Sequence, residues 1–356
     1  MSGPGEPSGP SGPSEAVEPV RPVLEARALA TTFRTRSGKA ARAVDGVDLA
    51  LGRGEIVALV GESGCGKTTL ARTLLGLERP SRGHVYYDGR ALSYTGKALK
   101  AFRRKVQLVL QDPTGSLNPR HTVYEAVAEG LRVHRVRGNE EALVAGALSR
   151  AGLRPPGRYF LRYPHELSGG QRQRVVIAGA LVLDPEVLVA DEPVSSLDAS
   201  VRGEILALLL LLRQELGLSV LVVTHDLGLA WNIADRIAVM YLGRIVESGP
   251  TESVLADPQH PYTRALLSVV PEAHHLEPIV LTGEPPDPTR VPPGCRFHPR
   301  CPALSSGAAA RAGVDGDCRT APVAVLSPGQ GHTAACFLAQ TLSPAARTES
   351  TGDFRY

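Results

Sequence analysis

A glycine-rich run that ends in lysine and threonine is the clearest chemical signal in this sequence. Residues 61–69 read GESGCGKTT, which fits the phosphate-binding pattern G-x-x-x-x-G-K-[ST]. Glycines let backbone N–H groups turn toward phosphate oxygens, and a following helix N-terminus adds a positive dipole. We expect Lys67 to reach the β- and γ-phosphates and the Thr68 hydroxyl to bind Mg²⁺. The predicted nucleotide contacts in this loop are Gly61, Ser63, Gly64, Cys65, Gly66, Lys67, Thr68 and Thr69.

Two adjacent carboxylates and a histidine follow other apolar runs. Asp191 and Glu192 come directly after residues 187–190. We expect Asp191 to help hold Mg²⁺ and Glu192 to polarise the attacking water as a general base. His225 comes just after residues 218–223. A lone histidine is more often structural, but this one lies where a phosphate-binding sheet would place a catalytic group.

Four short apolar runs supply the elements that must position these groups. Runs of this kind are typical of strands buried on both faces of a parallel sheet. Ligands of open α/β sheets bind at the carboxyl ends of the strands, so the groups that follow the four runs should converge on one edge. A polar or glycine-rich residue often follows a strand simply because a loop begins there. This could explain one or two of the four cases, but hardly all four. The runs are residues 56–60, 106–110, 187–190 and 218–223.

A glycine pair marks the start of another predicted helix. Residues 167–171 read LSGGQ just before a helix-patterned stretch, and Ser168 is placed to cap that helix. Two glycines at a helix start make a second anion site. Together with the phosphate loop and the carboxylates, this run resembles the signature motif of the ABC ATPase family. Two cassettes of that family dimerise head to tail, and each signature closes on the nucleotide of the other subunit. The residues to which the resemblance gives this role are Ser168, Gly169, Gly170 and Gln171.

The same resemblance implies roles for other residues. Glu192 matches the catalytic glutamate, and His225 matches the switch histidine that contacts the γ-phosphate. Gln111 matches the glutamine that senses Mg²⁺ and links the core to a helical segment. Residues 195–198 resemble the loop that lies across the dimer interface. Phe33 lies 28 residues before the phosphate loop and is the best candidate for an aromatic ring stacked on adenine, although a strand phenylalanine is usually core.

Further segments narrow the resemblance to the ATPases of oligopeptide and dipeptide importers. They read QDPTGSLNPR at 111–120, YPHELSGG at 163–170, HPYTRALL at 260–267 and PGC at 293–295. The similarity covers about residues 23–338, and its departures are mild: Val194 replaces the usual threonine and Gly179 a common arginine. The resemblance implies ATP and Mg²⁺ as cofactors. It also implies three kinds of partner: a second ABC ATPase subunit, two transmembrane permeases and an extracytoplasmic solute-binding protein.

We predict an α/β fold with an ABC-type phosphate-loop NTPase core. It should carry a helical subdomain at about residues 112–165, an antiparallel β region near the N-terminus and a small C-terminal cysteine-containing extension. Thr122 to Ala151 reads as helical. The predicted divisions of the chain are a disordered leader at 1–22, the ABC ATPase domain at 23–250, an oligopeptide-importer-type extension at 251–340 and a disordered tail at 341–356.

Composition separates the alternative functions. The net charge of +3 is too small to indicate nucleic-acid binding, and no basic cluster is interleaved with aromatics. The longest apolar run, residues 205–212, is far short of the ~20 residues that a membrane helix needs. The N-terminus shows no export-signal pattern, so we expect a soluble chain that is not exported. The resemblance to importer ATPases implies a peripheral position on the cytoplasmic face of the membrane. Two alternatives stay open: an importer ATPase for nickel or another small solute, and a soluble ABC ATPase acting on nucleic acid or ribosomes.

Four of the five cysteines crowd the C-terminal part of the chain and predict a metal site. They are Cys295, Cys301, Cys318 and Cys336. Disulfides are disfavoured in a reducing cytosol, and structural zinc usually has tighter C-x2–4-C pairs. Four thiolates also suit an iron–sulfur cluster, and the importer ATPases that the chain resembles include members with a four-iron, four-sulfur cluster here. Zinc and four free cysteines remain alternatives, and His298 could replace one ligand.

Overall fold

The computed structural model describes residues 21–195, 197–270, 277–323, 326–329 and 331–341. The predicted leader up to residue 20, the predicted tail from residue 342 and Ser196 of the interface-loop motif lie outside the described residues.

The strands of the described chain form two sheets. A four-stranded antiparallel sheet has the order β2-β1-β4-β5, which confirms the antiparallel region near the N-terminus. The larger sheet has the order β11-β12-β10-β9-β3-β8-β7-β6, and its strands from β9 to β6 run parallel. The strands are β1 (Leu24–Arg34), β2 (Ala40–Leu51), β3 (Ile56–Val60), β4 (Arg82–Tyr87), β5 (Arg90–Ala91), β6 (Val106–Val109), β7 (Val187–Asp191), β8 (Ser219–Thr224), β9 (Arg236–Tyr241), β10 (Arg244–Pro250), β11 (Leu326–Gly329) and β12 (His332–Ala334).

The central strand β3 shows why the predicted runs are apolar throughout. All five of its residues are buried. Ile56, Ala58 and Val60 belong to the core on the side of the large helical layer. Val57 and Leu59 belong to the core shared with the N-terminal antiparallel sheet. Alternate side chains therefore enter two different hydrophobic layers, and neither face of the strand tolerates a polar residue.

Helices cover the large sheet and build the segment between β6 and β7. They are α1 (Lys67–Leu74), α2 (Gly96–Lys105), α3 (Pro113–Ser116), α4 (Val123–His134), α5 (Glu140–Arg150), α6 (Gly169–Leu181), α7 (Ala199–Leu216), α8 (Leu227–Ile233), α9 (Thr251–Ala256), α10 (Pro261–Ser268), α11 (Pro302–Ser305), α12 (Ala308–Arg311), α13 (Asp315–Thr320) and α14 (Phe337–Thr341). Short 3-10 turns occur at Pro156–Arg158, Pro164–Glu166 and His298–Arg300.

The stretch predicted as helical from Thr122 to Ala151 is helical in the structure and consists of two helices, α4 and α5. A capping box at Thr122 starts α4. The helix ends where Arg135 takes a left-handed conformation, with φ 53°. Gly138, with φ 137°, then turns the chain, and the Asn139 side chain caps α5. The break follows from two ordinary signals, a glycine and an asparagine N-cap, inside otherwise helical periodicity.

The C-terminal extension packs on the rest of the fold. Strand β12 pairs with β10, opposing Ala334 to Glu247, and so lengthens the main sheet. Phe297 is fully buried in the same core as Tyr241 and Tyr262. A segment too short and too rich in proline to build its own core thus shares the core of its neighbour.

Candidate nucleotide site

The groups predicted from the four apolar runs do converge on one edge of the sheet. Strand β3 runs parallel to β8, β8 to β7, and β7 to β6. Their last residues are also in register, with Val60 opposite Thr224 and Asp191 opposite Val223. The loops that follow these strands therefore meet, and the prediction of a shared edge is confirmed.

A cavity of about 290 Å³ lies at this edge. Its lining includes the phosphate loop from Ser63 to Thr69 together with Gln111 and Glu192. The structure also adds residues that the motifs did not indicate. These further lining residues are Arg42, Ala43, Leu242, Gly243 and Pro288.

Two glycines of the phosphate loop are required by close backbone contacts. Gly61 has φ 158° and Gly66 has φ 111°. A Cβ at Gly61 would lie 2.2 Å from the Met240 carbonyl oxygen, and one at Gly66 would lie 2.1 Å from the Ala43 carbonyl oxygen. No larger residue fits without moving backbone, so the loop can follow this path only with glycine at both positions.

Lys67 starts α1 and lies across the loop that precedes it. The side chain is buried, and its ammonium donates to the carbonyl oxygens of Gly61 (2.6 Å) and Glu62 (3.0 Å). These bonds hold the charge over the cavity, next to the N-terminus of α1. The arrangement gives a phosphate both a cation and a helix dipole.

Asp191 ends β7 beside the start of α1. Burial raises the pKa of its carboxyl, although a hydrogen bond with the Thr68 side chain acts in the opposite direction. Within the described residues, Asp191 Oδ1 is buried and has no hydrogen-bond partner. An unsatisfied buried carboxylate oxygen next to a hydroxyl is a donor set that suits Mg²⁺, so these two residues fit the predicted metal.

Glu192 occupies a strained position at the end of the same strand. Its φ is 49°, a left-handed conformation that non-glycine residues seldom adopt and that occurs mainly at functional sites. Its backbone N–H donates to the carbonyl oxygen of Val223 at 2.8 Å, and this bond fixes the residue to β8. Its Oε1 lies 2.9 Å from Nδ1 of His225. The carboxylate is therefore oriented by an imidazole at the mouth of the cavity.

The predicted signature residues lie outside this cavity. The prediction that Ser168 caps the following helix is confirmed: its Oγ accepts from the backbone of Gln171, whose Oε1 accepts in return. Helix α6 begins at Gly169, directly after Ser168, whereas the sequence pattern placed the helical stretch after residue 171. A Cβ on Gly170 would lie 2.6 Å from Val201 Cγ1, so the helix start packs on α7. None of residues 168–171 lines the cavity of its own chain.

Phe33 also lies apart from the lining of the cavity. It lies on β1 opposite Ala41, and 40% of the residue is exposed. The ring is therefore not part of the hydrophobic core, where a phenylalanine on a strand usually lies. Its role toward adenine stays a prediction.

The structure reveals one position in the loop to which the sequence pattern gave no role. Glu62 receives a two-pronged ion pair from Arg300, and its backbone N–H donates to the Tyr262 hydroxyl. The phosphate-loop pattern treats this position as a wildcard, and both partners come from the extension. No local sequence signal could have indicated the pairing.

The four C-terminal cysteines are neighbours. All four are free thiols and line one small cavity of about 20 Å³. Burial, together with the charges of nearby cysteines, raises the pKa of Cys295 and of Cys336 to about 12. Over the residues that the structure describes, no three His, Cys, Asp or Glu side chains are placed to hold a metal ion. The four thiols therefore line one cavity, but the described residues are not arranged around a single metal ion.

The phosphate loop between β3 and α1, with carboxylates at the end of β7, is the arrangement of a phosphate-loop NTPase. Two family models match the chain: the ABC transporter model over residues 44–195, and the oligopeptide/dipeptide transporter C-terminal region over residues 246–307. In the part of the chain that the structure describes, no helix is long and apolar enough to cross a bilayer.

Several curated proteins are similar over most of their length. The dipeptide transport ATP-binding protein DppF of Haemophilus influenzae is 48% identical over 266 residues, which cover 73% of this chain and 81% of that protein. DppF of Escherichia coli is 47% identical over 268 residues, covering 73% and 79%. The putative oligopeptide transport ATP-binding protein YkfD of Bacillus subtilis is 45% identical over 288 residues, covering 78% and 87%.

Solved structures share the fold. The cbiO1 protein of Clostridium perfringens, part of the ABC transporter complex cbiONQ, has a TM-score of 0.60 and 30% identity, covering 72% of this chain and 98% of that one. The ATP-binding cassette MJ0796, a post-hydrolysis dimer bound to ADP and phosphate, has a TM-score of 0.58 and 29% identity, covering 64% and 98%. The chain belongs to the ATP-binding subunits of ABC transporters, in the oligopeptide/dipeptide branch. The predicted family, the ABC ATPase fold with its antiparallel N-terminal sheet, and the ATPase activity are thereby confirmed.

Proposed function

We propose that this chain binds and hydrolyses Mg-ATP at the described cavity to drive uptake of dipeptides or oligopeptides through a membrane transporter. The observation that carries the ATPase part is the Glu192–His225 pair beside the phosphate loop, with 2.9 Å between Oε1 and Nδ1. The peptide part is supported by the similarity to transport proteins for dipeptides and oligopeptides.

The chemistry follows from the chain's own residues. Lys67 and the backbone of the phosphate loop bind the β- and γ-phosphates. Mg²⁺ bound by Thr68 and Asp191 would neutralise phosphate charge. Glu192 accepts a proton from water as the water oxygen attacks the γ-phosphorus and the bond to the β-phosphate breaks. His225 keeps the Glu192 carboxylate in place.

Gln111 and Phe33 complete the proposed nucleotide site. Gln111 lines the cavity at the point where the chain leaves β6. We assign it to sensing the Mg²⁺ and γ-phosphate end of the nucleotide. Phe33 is an exposed ring, and we assign it to adenine.

A second ATPase subunit is the proposed user of the signature helix. The N-terminus of α6 is an anion site with a complete capping box, yet it lies outside the cavity of its own chain. We propose that residues 168–171 close on the nucleotide held by another ATPase subunit, identical or different. Each site would then require both chains.

We propose that the ATPase domain spans residues 23–250 and works on the cytoplasmic face of the membrane. Two permeases and an extracytoplasmic solute-binding protein would complete the transporter. The helical subdomain at about 112–165 would be the docking surface for a permease, because Gln111 joins it to the nucleotide cavity. Co-purification with permeases should survive Glu192→Gln and fail when residues 114–160 are replaced.

The cysteine site of the extension at 251–340 is proposed to hold a four-iron, four-sulfur cluster. Four free thiols around one cavity supply the ligand set of such a cluster. Anaerobically purified protein should be brown and contain about four irons per chain. Stoichiometric zinc, or no metal, would refute the cluster and leave the ATPase proposal untouched.

The transport proposal is tested in proteoliposomes that contain this chain, its co-purifying permeases and the binding protein. Dipeptides or oligopeptides should stimulate ATP hydrolysis and accumulate inside, and Glu192→Gln should abolish both. Stimulation by nickel with no response to peptides would replace the substrate assignment. ATPase activity that responds to nucleic acid and to no solute would overturn the transporter proposal.

A further inference from the structure

Glu62 of the phosphate loop is held in place by the C-terminal extension. Arg300 donates to both carboxylate oxygens, at 2.7 Å from Nη1 to Oε2 and 3.1 Å from Nη2 to Oε1. The Tyr262 hydroxyl accepts from the Glu62 backbone N–H at 2.8 Å. Side chain and backbone of one loop residue are therefore both fixed by residues that lie 200 or more positions later in the chain.

The ion pair is strongly constrained on the arginine side. The Arg300 side chain is only 6% exposed, against 28% for that of Glu62. The hydrogen bonds to Glu62 raise the pKa of Arg300 further above its usual range. A buried guanidinium that loses its carboxylate is left uncompensated, which is costly, and the fork geometry fixes the carboxylate plane. Glu62 therefore cannot move independently of Arg300.

Arg300 is itself placed by the aromatic core beneath it. It ends the 3-10 turn that follows Phe297 and directly precedes Cys301. The Phe297 ring packs edge-on against Tyr241 (5.1 Å between centroids) and lies 5.3 Å from Tyr262. All three aromatic residues are fully buried, so the turn that carries Arg300 has a rigid base.

The position of Glu62 bears directly on the cavity. Its carbonyl oxygen accepts from the Lys67 ammonium at 3.0 Å and from the backbone of Cys65 at 3.3 Å. A shift of Glu62 would move the acceptor that holds Lys67 and one of the loop N–H groups. The extension therefore influences the phosphate-binding groups through one residue, Glu62.

The C-terminal half of the loop is supported from the same side. The Gly243 N–H donates to the carbonyl oxygen of Cys65 at 2.7 Å. The preceding carbonyl, that of Leu242, accepts from Arg296, which also bonds to the buried carboxylate of Asp45. Arg296 directly follows Cys295 and Arg300 directly precedes Cys301, so the first two cysteines each adjoin an arginine: Arg300 bonds to the loop, and Arg296 to the carbonyl that precedes Gly243.

We infer that Arg300 is a positioning residue for ATP binding: it holds the phosphate loop in its binding conformation through Glu62 and couples that conformation to the fold of the extension. This inference rests on the proposed nucleotide site. It predicts that the extension contributes to nucleotide affinity although Arg300 does not line the cavity.

The test compares Arg300→Gln with Arg319→Gln in the full-length chain. Arg319 is a matched control because it lies in the same extension and, among the described residues, forms its ion pair with the exposed Asp315. Arg300→Gln should weaken binding of a fluorescent ATP analogue by roughly tenfold, the scale of a lost charge-assisted hydrogen bond. Amide hydrogen exchange should rise over residues 61–66. Arg319→Gln should change neither quantity.

A double-mutant cycle separates positioning from general damage. Glu62→Gln removes the carboxylate charge while leaving an amide oxygen that can still accept one bond from Arg300, so it tests the pair independently of Arg300→Gln. It should weaken binding to a similar extent, and the double variant should be no worse than either single one. Arg300→Lys, which keeps the charge without the fork, should give an intermediate affinity.

Lys67→Ala distinguishes a failure of the proposed nucleotide site from a failure of the positioning role of Arg300. If wild-type protein binds the analogue no better than Lys67→Ala, the proposed nucleotide site is wrong. If Lys67→Ala loses binding while Glu62→Gln and Arg300→Lys keep wild-type affinity and wild-type exchange over residues 61–66, the site stands and the positioning role is refuted. Additive effects in the cycle would refute it equally.

Discussion

Glu192→Gln separates ATP binding from ATP hydrolysis. Glutamine has the length and shape of glutamate, and its side-chain amide can still bond to Nδ1 of His225, which lies 2.9 Å from Oε1 in the wild type. The backbone bond from residue 192 to Val223 is unchanged by the substitution. Lys67 and Thr68 are not affected either, so nucleotide affinity should stay at the wild-type level. What is lost is the ability to accept a proton from water.

The size of the effect follows from that single loss. A positioned general base contributes roughly 10²–10⁴-fold to rate, which corresponds to about 2.7–5.4 kcal/mol on the activation free energy. The Glu192 side chain is only 13% exposed, so bulk water reaches it poorly and a buffer base cannot easily replace it. We expect turnover to fall within this range.

Steady-state phosphate release at saturating ATP measures the effect, and titration with a fluorescent ATP analogue checks binding. His225→Ala is the companion variant. It should lower turnover less, because the base is disoriented and not removed. The double variant should be no slower than Glu192→Gln alone, since the two residues act as a unit. Near wild-type hydrolysis by Glu192→Gln would place the general base elsewhere and refute the assignment.

Three further outcomes test other parts of the structure. Lys67→Ala should weaken nucleotide binding itself, which the same titration detects. Gly66→Ala should do so too, because its Cβ would lie 2.1 Å from the Ala43 carbonyl oxygen; a crystal structure with an unmoved loop would contradict this. Burial tends to raise the pKa of Asp45, but the bond and charge of Arg296, aided by other arginines, lower it below 3.8. Its contribution to stability is therefore present above that value and lost as pH falls through the lower folded pKa, so Asp45→Asn should flatten acid unfolding followed by circular dichroism.

Much of the fold could be predicted because the sequence encodes it locally. The run at 56–60 is apolar at every position because each face of β3 enters a separate hydrophobic layer. Ser168 and Gln171 carry the capping box within four consecutive residues. Signals of this kind need no knowledge of tertiary contacts. The helix break near Gly138 is also encoded locally, by a glycine and an asparagine N-cap.

The part of the site that could not be predicted depends on long-range contacts. Glu62 looks interchangeable in the phosphate-loop pattern, and Arg300 looks like one of many arginines near the tail. Their pairing exists only because Phe297, Tyr241 and Tyr262 bring the extension against the loop. Sequence patterns identify residues that touch the ligand more readily than residues that hold those residues in place.

The chain order of these contacts has a consequence for biosynthesis. Tyr262 and Arg300 follow Glu62 by 200 and 238 residues. At typical elongation rates of 5–20 residues per second, roughly 10–50 s separate the emergence of the phosphate loop from that of its supports. For most of that interval the two strands that flank β3, namely β8 and β9, have not been synthesised either, so the loop lacks both its sheet neighbours and the contacts from Tyr262 and Arg300. If Arg300 positions the loop as inferred, the nucleotide site takes its binding conformation only after residue 300 has been made.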